Sequence, residues 1–412
     1  MKTYRAITHA SEVLTGEGIS AKDGRHPEEA DLGRIRDGAL VYSLKRVGSR
    51  SIPAKVEWVG PSADLPKRFH KIPKQSLKGQ YAIIPGMVDC HTHLIFAGDR
   101  STEFAARCGG ATYQEIAAQG GGIASTVRAT REASAAELEK LAILRLKEIQ
   151  SYGVKTVEIK SGYGLSTEAE LKVLRIIPRL RKRFPELTLT ATFLGAHAFP
   201  TGCSREVYVR ELVEVMLPQV VKQKLADSCD IFIDEGYFTV QEGRALLEKA
   251  KALGLKVKVH ADELVNTESA AFAAEVGALS ADHLLKISDA GIQALARSNT
   301  VAVLLPGTAF YLKARHAPAR KLVDAGARVA ISTDFNPGTC MCLSLPAVMT
   351  AAALYLGLTR AELFAAVTYN AARALGLQKR KGSLEKGKDA DFSILPFERF
   401  EELYYRFAWA PR

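Results

Sequence analysis

Asp89-Cys90-His91-Thr92-His93, closing the apolar run Tyr81-Ala-Ile-Ile-Pro-Gly-Met-Val, is the stretch on which the reading of this chain turns. Alternate residues of a strand point the same way, so the imidazoles of His91 and His93 converge beyond its end, a geometry suited to a metal ion. A His-x-His pair alone is weak evidence, and its partners decide the matter. They stand at the ends of three later strand-like segments: His260 in Lys256-Val-Lys-Val-His260-Ala-Asp262-Glu263, His283 after Ala278-Leu-Ser-Ala-Asp282, and Asp334 after Arg328-Val-Ala-Ile-Ser-Thr. Core packing does not call for histidines and an aspartate at successive strand ends, whereas a site at the mouth of a parallel barrel does.

Outward from this stretch, eight short apolar segments alternate with helical patterns, at 83–89, 154–160, 187–194, 230–234, 257–260, 278–282, 301–304 and 329–333. That alternation predicts an α/β chain with a (β/α)8 barrel over 81–379. Thr167-Glu-Ala-Glu-Leu-Lys-Val-Leu-Arg-Ile-Ile opens on a capping threonine and has helical apolar spacing, and 242–253 repeats the pattern. Both are expected as crossover helices. Before residue 80 the pattern changes to short β-prone pieces such as Gly38-Ala-Leu-Val-Tyr and Ala54-Lys-Val-Glu-Trp-Val, and a comparable piece returns after Lys381. Residues 1–80 and 380–412 are therefore expected to complete one small, discontinuous β-sandwich domain beside the barrel. Gly120-Gly-Gly122 reads as a mobile loop rather than a phosphate cradle.

A composition of 47% hydrophobic and 25% charged residues excludes extensive disorder. The N-terminus lacks the apolar core of a secretory signal and no stretch reads as membrane-spanning, so a cytoplasmic protein is expected. Six scattered cysteines are expected as reduced thiols; Cys340-Met-Cys342 is too tight for a zinc knuckle. The formal charge of +11 is dispersed, without an aromatic-studded basic motif, so no nucleic-acid partner is expected. Positive potential instead favours an anionic small substrate.

Further motifs run through the chain: Phe96-Ala-Gly-Asp-Arg100, Gly110-Ala-Thr-Tyr-Gln-Glu-Ile, Gly120-Gly-Gly-Ile, Glu158-Ile-Lys-Ser-Gly-Tyr163-Gly-Leu, Thr192-Phe-Leu-Gly-Ala-His197-Ala, His260-Ala-Asp-Glu263 and Ser332-Thr-Asp-Phe-Asn336-Pro-Gly338-Thr339. On these motifs the chain resembles, over nearly its whole length, the amidohydrolase superfamily, and within it the branch that opens the ring of a cyclic amide bearing a propanoate arm. The resemblance implies a metal-dependent barrel with a β-sandwich module, a mononuclear site held by His91, His93, His260 and Asp334, and a homodimer. Three nitrogens and one oxygen suit zinc or iron, and zinc is ranked first. Lys160 could be read as the carboxylated lysine of two-metal relatives, but an ordinary salt-bridged lysine is the reading adopted.

Hydrolysis of a cyclic amide C–N bond by a metal-activated water needs attack on the ring carbonyl, stabilisation of the oxyanion and a proton for the departing nitrogen. Glu263, otherwise a surface carboxylate, is the candidate proton relay and a substrate contact. His283, otherwise a core histidine, is the candidate for polarising the carbonyl or holding the nucleophile. Asp334 is a second candidate for the water's proton, and residue types do not divide that task between it and Glu263. Arg100 is the candidate clamp for a small-molecule carboxylate. Tyr163, His197, Asn336, Gly338 and Thr339 match substrate-binding positions of the resembled family. A ring deaminase shares the framework, but Arg100 and the Tyr163 motif weigh against it. A catalytically silent metal scaffold leaves the substrate motifs unexplained.

Overall fold

The computed structural model describes residues 3–110 and 121–411. Its strands, in chain order, are β1 (Tyr4–Leu14), β2 (Arg34–Val47), β3 (Arg50–Pro61), β4 (Lys74–Ser76), β5 (Ala82–Pro85), β6 (Met87–Asp89), β7 (Val154–Lys160), β8 (Thr188–Ala196), β9 (Ser228–Ile233), β10 (Lys256–Val257), β11 (Val259–Ala261), β12 (Ser280–His283), β13 (Val301–Leu304), β14 (Arg328–Ile331) and β15 (Phe392–Leu395). The short apolar runs of the middle of the chain form a parallel sheet in the order β6-β7-β8-β9-β11-β12-β13-β14, with β10 beside β9. Its two ends meet beyond the last strand, where Thr92 bridges Phe335, Asp334 N donates to His91 O at 3.0 Å and His93 N donates to Phe335 O at 2.9 Å. The closure of the (β/α)8 barrel thus runs through the peptides that carry His91, His93 and Asp334.

The first expected barrel strand, 83–89, is two strands. Pro85 has no N–H to give, and Gly86 passes so close to β7 that a Cβ would stand 2.7 Å from the Lys155 side chain. The chain turns there, so that β5 joins the small sheet and β6 alone opens the barrel. The segment expected at 257–260 is likewise interrupted at Lys258, giving β10 and β11.

Beside the barrel lies a separate six-stranded sheet in the order β15-β5-β1-β2-β3, with β4 on β1. Leu384 and Ala390 pack on it with Ile7, Val13, Leu40 and Ile83, while Phe69 packs with Ala6 and Val41. Among the described residues these six strands form the sheet of the small domain.

The helix expected from Thr167 spans Thr167–Leu174, but its cap is Ser166, whose Oγ accepts from Ala169 N at 3.4 Å. Thr167 Oγ1 donates instead to Glu211 at 2.6 Å. The helix expected at 242–253 is Val240–Ala252, where Thr239 and Glu242 cap one another reciprocally. No helix among the described residues is long and apolar enough to cross a membrane. Most of the Gly110-Ala-Thr-Tyr-Gln-Glu-Ile motif, and Gly120, lie outside the described residues.

Candidate active site

Parallel strands of a barrel deliver their carboxyl ends to one face, and β6, β11, β12 and β14 deliver the five candidates of the sequence there. His91, His93, His260, His283 and Asp334 are all at most 3% exposed. Donor atoms of His91, His260 and His283 lie within 4.8 Å of one another, as do those of His91, His93 and Asp334, so His91 joins the two triads into one cluster. Asp334 Oδ1 stands 3.4 Å from His91 Nε2 and 3.5 Å from His93 Nε2. The backbone is bent to achieve this, for His283 has φ 79 and Asp334 φ 49, the left-handed region that side-chain-bearing residues seldom occupy.

The chemistry of the cluster suits a cation. Among the described residues, His91 Nε2, His93 Nδ1 and His260 Nε2 are buried without a hydrogen-bond partner, while His260 Nδ1 and His283 Nδ1 meet only a carboxylate each, at 3.1 and 3.3 Å. Each such atom costs about 1–3 kcal/mol if nothing satisfies it. Burial and then the Lys160 charge hold the His91 imidazole well below its ordinary pKa, and burial with neighbouring rings does the same for His93 and His283. These rings are neutral and free to donate lone pairs. Burial pushes the Asp334 carboxyl up to about 7, against a hydrogen bond from Thr308 Oγ1 at 2.7 Å; a bound cation would return it to the carboxylate form.

Glu263 follows β11 and is brought to the same cluster, its Oε1 lying 3.3 Å from His283 Nδ1. Burial, followed by the nearby Asp334 and Asp234 charges, raises its pKa well above the ordinary carboxyl value, which favours the protonated form. Asp234 holds the loop by accepting from Glu263 N at 3.0 Å and Leu264 N at 2.8 Å.

His197 stacks on His93 with ring centroids 4.9 Å apart and donates from Nδ1 to Gly162 O at 3.0 Å. The Tyr163 ring lies 5.7 Å from His93 and 5.3 Å from His197. Asn336 shapes the turn after Asp334: its Oδ1 accepts from Gly338 N at 2.9 Å and Thr339 N at 2.7 Å, and its Nδ2 donates to Asp334 O at 2.7 Å. The Arg100 guanidinium lies against Gly338, where a Cβ would stand 2.8 Å from its Cζ. Gly338→Ala is therefore expected to push Arg100 aside and raise KM about ten-fold with kcat little changed, measured by steady-state kinetics.

Two features escaped the sequence reading. Arg100 already holds a carboxylate, since its Nε donates to Glu103 Oε2 at 2.9 Å and its Nη2 to Glu103 Oε1. Beneath the histidines, Glu158, Asp230, Lys258 and Asp282 are buried around Lys160, which alone of the group was read from the sequence. Their signal was present, because parallel barrel strands read as apolar runs and each of these residues interrupts one. Lys160 Nζ donates to Asp230 Oδ2 at 2.6 Å and pairs with Glu158 at 3.0 Å, the salt-bridged state expected of it.

The amidohydrolase family pattern matches residues 82–404. An imidazolonepropionase of Symbiobacterium thermophilum is 54% identical over 76% of this chain and 75% of its own length. That of Shouchella clausii is 42% identical over 98% and 89%, and that of Porphyromonas gingivalis 43% identical over 97% and 93%. Among solved structures, the 5-methylcytosine deaminase of Klebsiella pneumoniae superposes with TM-score 0.70 at 17% identity, over 97% of this chain and 93% of that one. A zinc-bound adenosine deaminase of Xanthomonas campestris gives 0.67 at 19%, over 95% and 84%. The deaminases share the fold; the sequence relatives share far more, and by them and by the pattern over its barrel this chain belongs to the amidohydrolase family, in its imidazolonepropionase branch.

Proposed function

We propose that this chain hydrolyses the ring C–N bond of 4-imidazolone-5-propanoate to N-formimidoyl-L-glutamate, a step of L-histidine degradation. The observation that carries the reading from geometry is the pairing of a buried histidine cluster with an arginine whose fork is shaped around a carboxylate. The names of the sequence relatives support the same substrate.

His91, His93, His260 and Asp334 would hold one metal ion, zinc before iron. Such an ion supplies the charge that acidifies a water toward neutrality and polarises a carbonyl. Arg100 binds the propanoate of the substrate, while Tyr163 and His197 flank its ring and the Asn336, Gly338 and Thr339 turn sets the position of Arg100. Neutral His283 stabilises the oxygen on which charge develops. Asp334 takes a proton from the attacking water, and protonated Glu263 gives its own to the ring nitrogen as the C–N bond breaks. The upward shift of Glu263 and its 3.3 Å approach to His283 support this division, which residue types alone left open.

A homodimer and a cytoplasmic location belong to the same reading. An apolar groove bordered by exposed Phe310, Leu354, Tyr355, Tyr405 and Phe407 supports the first. Pairing of β15 with β5 supports a composite β domain drawn from both ends of the chain beside the barrel, with its first part reaching past residue 80 to Pro85.

The deciding experiment follows the ultraviolet decay of freshly made 4-imidazolone-5-propanoate with the zinc-loaded protein, against an enzyme-free control, with product identified by mass. Faster appearance of the formimidoyl-glutamate mass is expected. Substrate decay at the control rate by folded, metal-bearing protein would reject the reading, and ammonia release from a ring base would put a deaminase in its place.

A further inference from the structure

Under the histidine cluster lie five ionisable side chains with no exposed surface: Lys160 and Lys258 against Glu158, Asp230 and Asp282. Burying charged groups is costly, and apolar residues of the same volume would fill a barrel core as well, so such a network calls for a reason beyond stability. Two of its carboxylates face histidines. Asp282 Oδ2 accepts from His91 Nδ1 at 2.6 Å, and Asp230 Oδ2 lies 3.1 Å from His260 Nδ1. Glu158 faces none: its Oε1 accepts from Thr192 Oγ1 at 2.5 Å and its Oε2 pairs with both lysines.

The lysines divide accordingly. Lys258 Nζ donates to Glu158 Oε2 and to Cys90 O, each at 2.9 Å, and stays 3.7 Å from Asp282. Lys160 Nζ donates to Asp230 Oδ2 at 2.6 Å; its 3.8 Å from Asp282 nearly matches that of Lys258, so the bond to Asp230 is what sets it apart. Asp230 is held from its other oxygen by Ile231 N at 2.8 Å. A metal-binding imidazole is aimed by what its second nitrogen meets, and that partner must itself be held.

We infer that Lys160 is a positioning residue for the metal, acting through the chain Lys160 to Asp230 to His260, so that the ammonium fixes the carboxylate and the carboxylate fixes the ring that presents Nε2 to the site. This inference rests on the metal reading given above. Lys258 supplies the comparison, because it is an equally buried ammonium in the same network without a contact to Asp230.

The test loads the parent protein, Lys160→Met and Lys258→Met with zinc, follows transfer of the metal to a chromogenic chelator, and records the visible spectra of the cobalt-substituted proteins. Lys160→Met is expected to release zinc about 10- to 100-fold faster than the parent with an altered cobalt spectrum, and Lys258→Met within about three-fold of it with the parent spectrum. Equal acceleration in both variants, tracking their loss of thermal stability, would make the network structural only and overturn the inference. Should Lys160→Met fail to fold, Lys160→Met with Glu158→Gln removes one cation and one anion together and carries the same expectation; parent-like zinc release by that pair would equally overturn it. A parent protein that binds no zinc or cobalt would reject the metal reading itself, not the place of Lys160 within it.

Discussion

Glu263→Gln is expected to lower kcat by about 10²- to 10⁴-fold while leaving metal content at the parent level. The glutamine keeps the size and one hydrogen-bond donor of the side chain but holds no transferable proton. Glu263 is positioned for that transfer by two independent features. Its Oε1 stands 3.3 Å from His283 Nδ1, and burial with the neighbouring Asp334 and Asp234 charges raises its pKa and so favours the form that carries a proton. Because the native group is already uncharged in this reading, its amide replacement leaves no new buried charge, and the fold should be nearly undisturbed. Turnover and metal analysis on the same preparation check the expectation. A fall of less than ten-fold would remove Glu263 from proton transfer, and loss of metal alongside activity would make it a structural support of the site.

Arg100→Met should reduce kcat/KM by about two orders of magnitude, mostly through KM, as expected when the loss of a partly desolvated charge pair costs about 3 kcal/mol. The guanidinium is well prepared for a carboxylate, since its side chain is 11% exposed and it already grips Glu103 through two nitrogens. Glu103 also accepts from Gly122 N at 2.8 Å, so the substrate's arm either meets the remaining nitrogen or takes the place of this internal carboxylate. An analogue ending in a carboxamide distinguishes clamp from scaffold. With the parent enzyme it should be a much poorer substrate than the carboxylate, and with Arg100→Met the two should become alike. A variant that kept the full preference would show that Arg100 serves only to hold Glu103.

Much of this site could be read from residues close together in the chain. The period of two along a strand aims His91 and His93 at one point, and His260, His283 and Asp334 announce themselves by ending apolar runs. All eight barrel strands lie where such runs predict them, and 154–160 and 301–304 coincide with β7 and β13. Where the expectation missed, a nonlocal contact was responsible. Gly86 divides one strand into two because Lys155 and Asp391 crowd it, and neither neighbour is visible from the stretch 81–89.

The charged residues of the strand interiors show the same division. Glu158, Asp230, Lys258 and Asp282 break apolar runs, which marks them as unusual without saying what they serve. Which lysine meets which carboxylate depends on how strands 70 and 100 residues apart come to lie in the closed sheet, as Lys160 with Asp230 and Lys258 with Glu158.

By itself, then, the sequence determined the barrel, its strand ends and the residue types gathered there, because strand periodicity and helix spacing are local properties of the backbone. Only the tertiary structure decided that Glu103 sits in the fork of Arg100, that His283 faces Glu263 and that Lys160 stands behind His260 through Asp230. Those pairings are set by barrel closure at Thr92 and Phe335 and by the register of neighbouring strands, and at these distances a shift of one residue would send each side chain to the opposite face of the sheet.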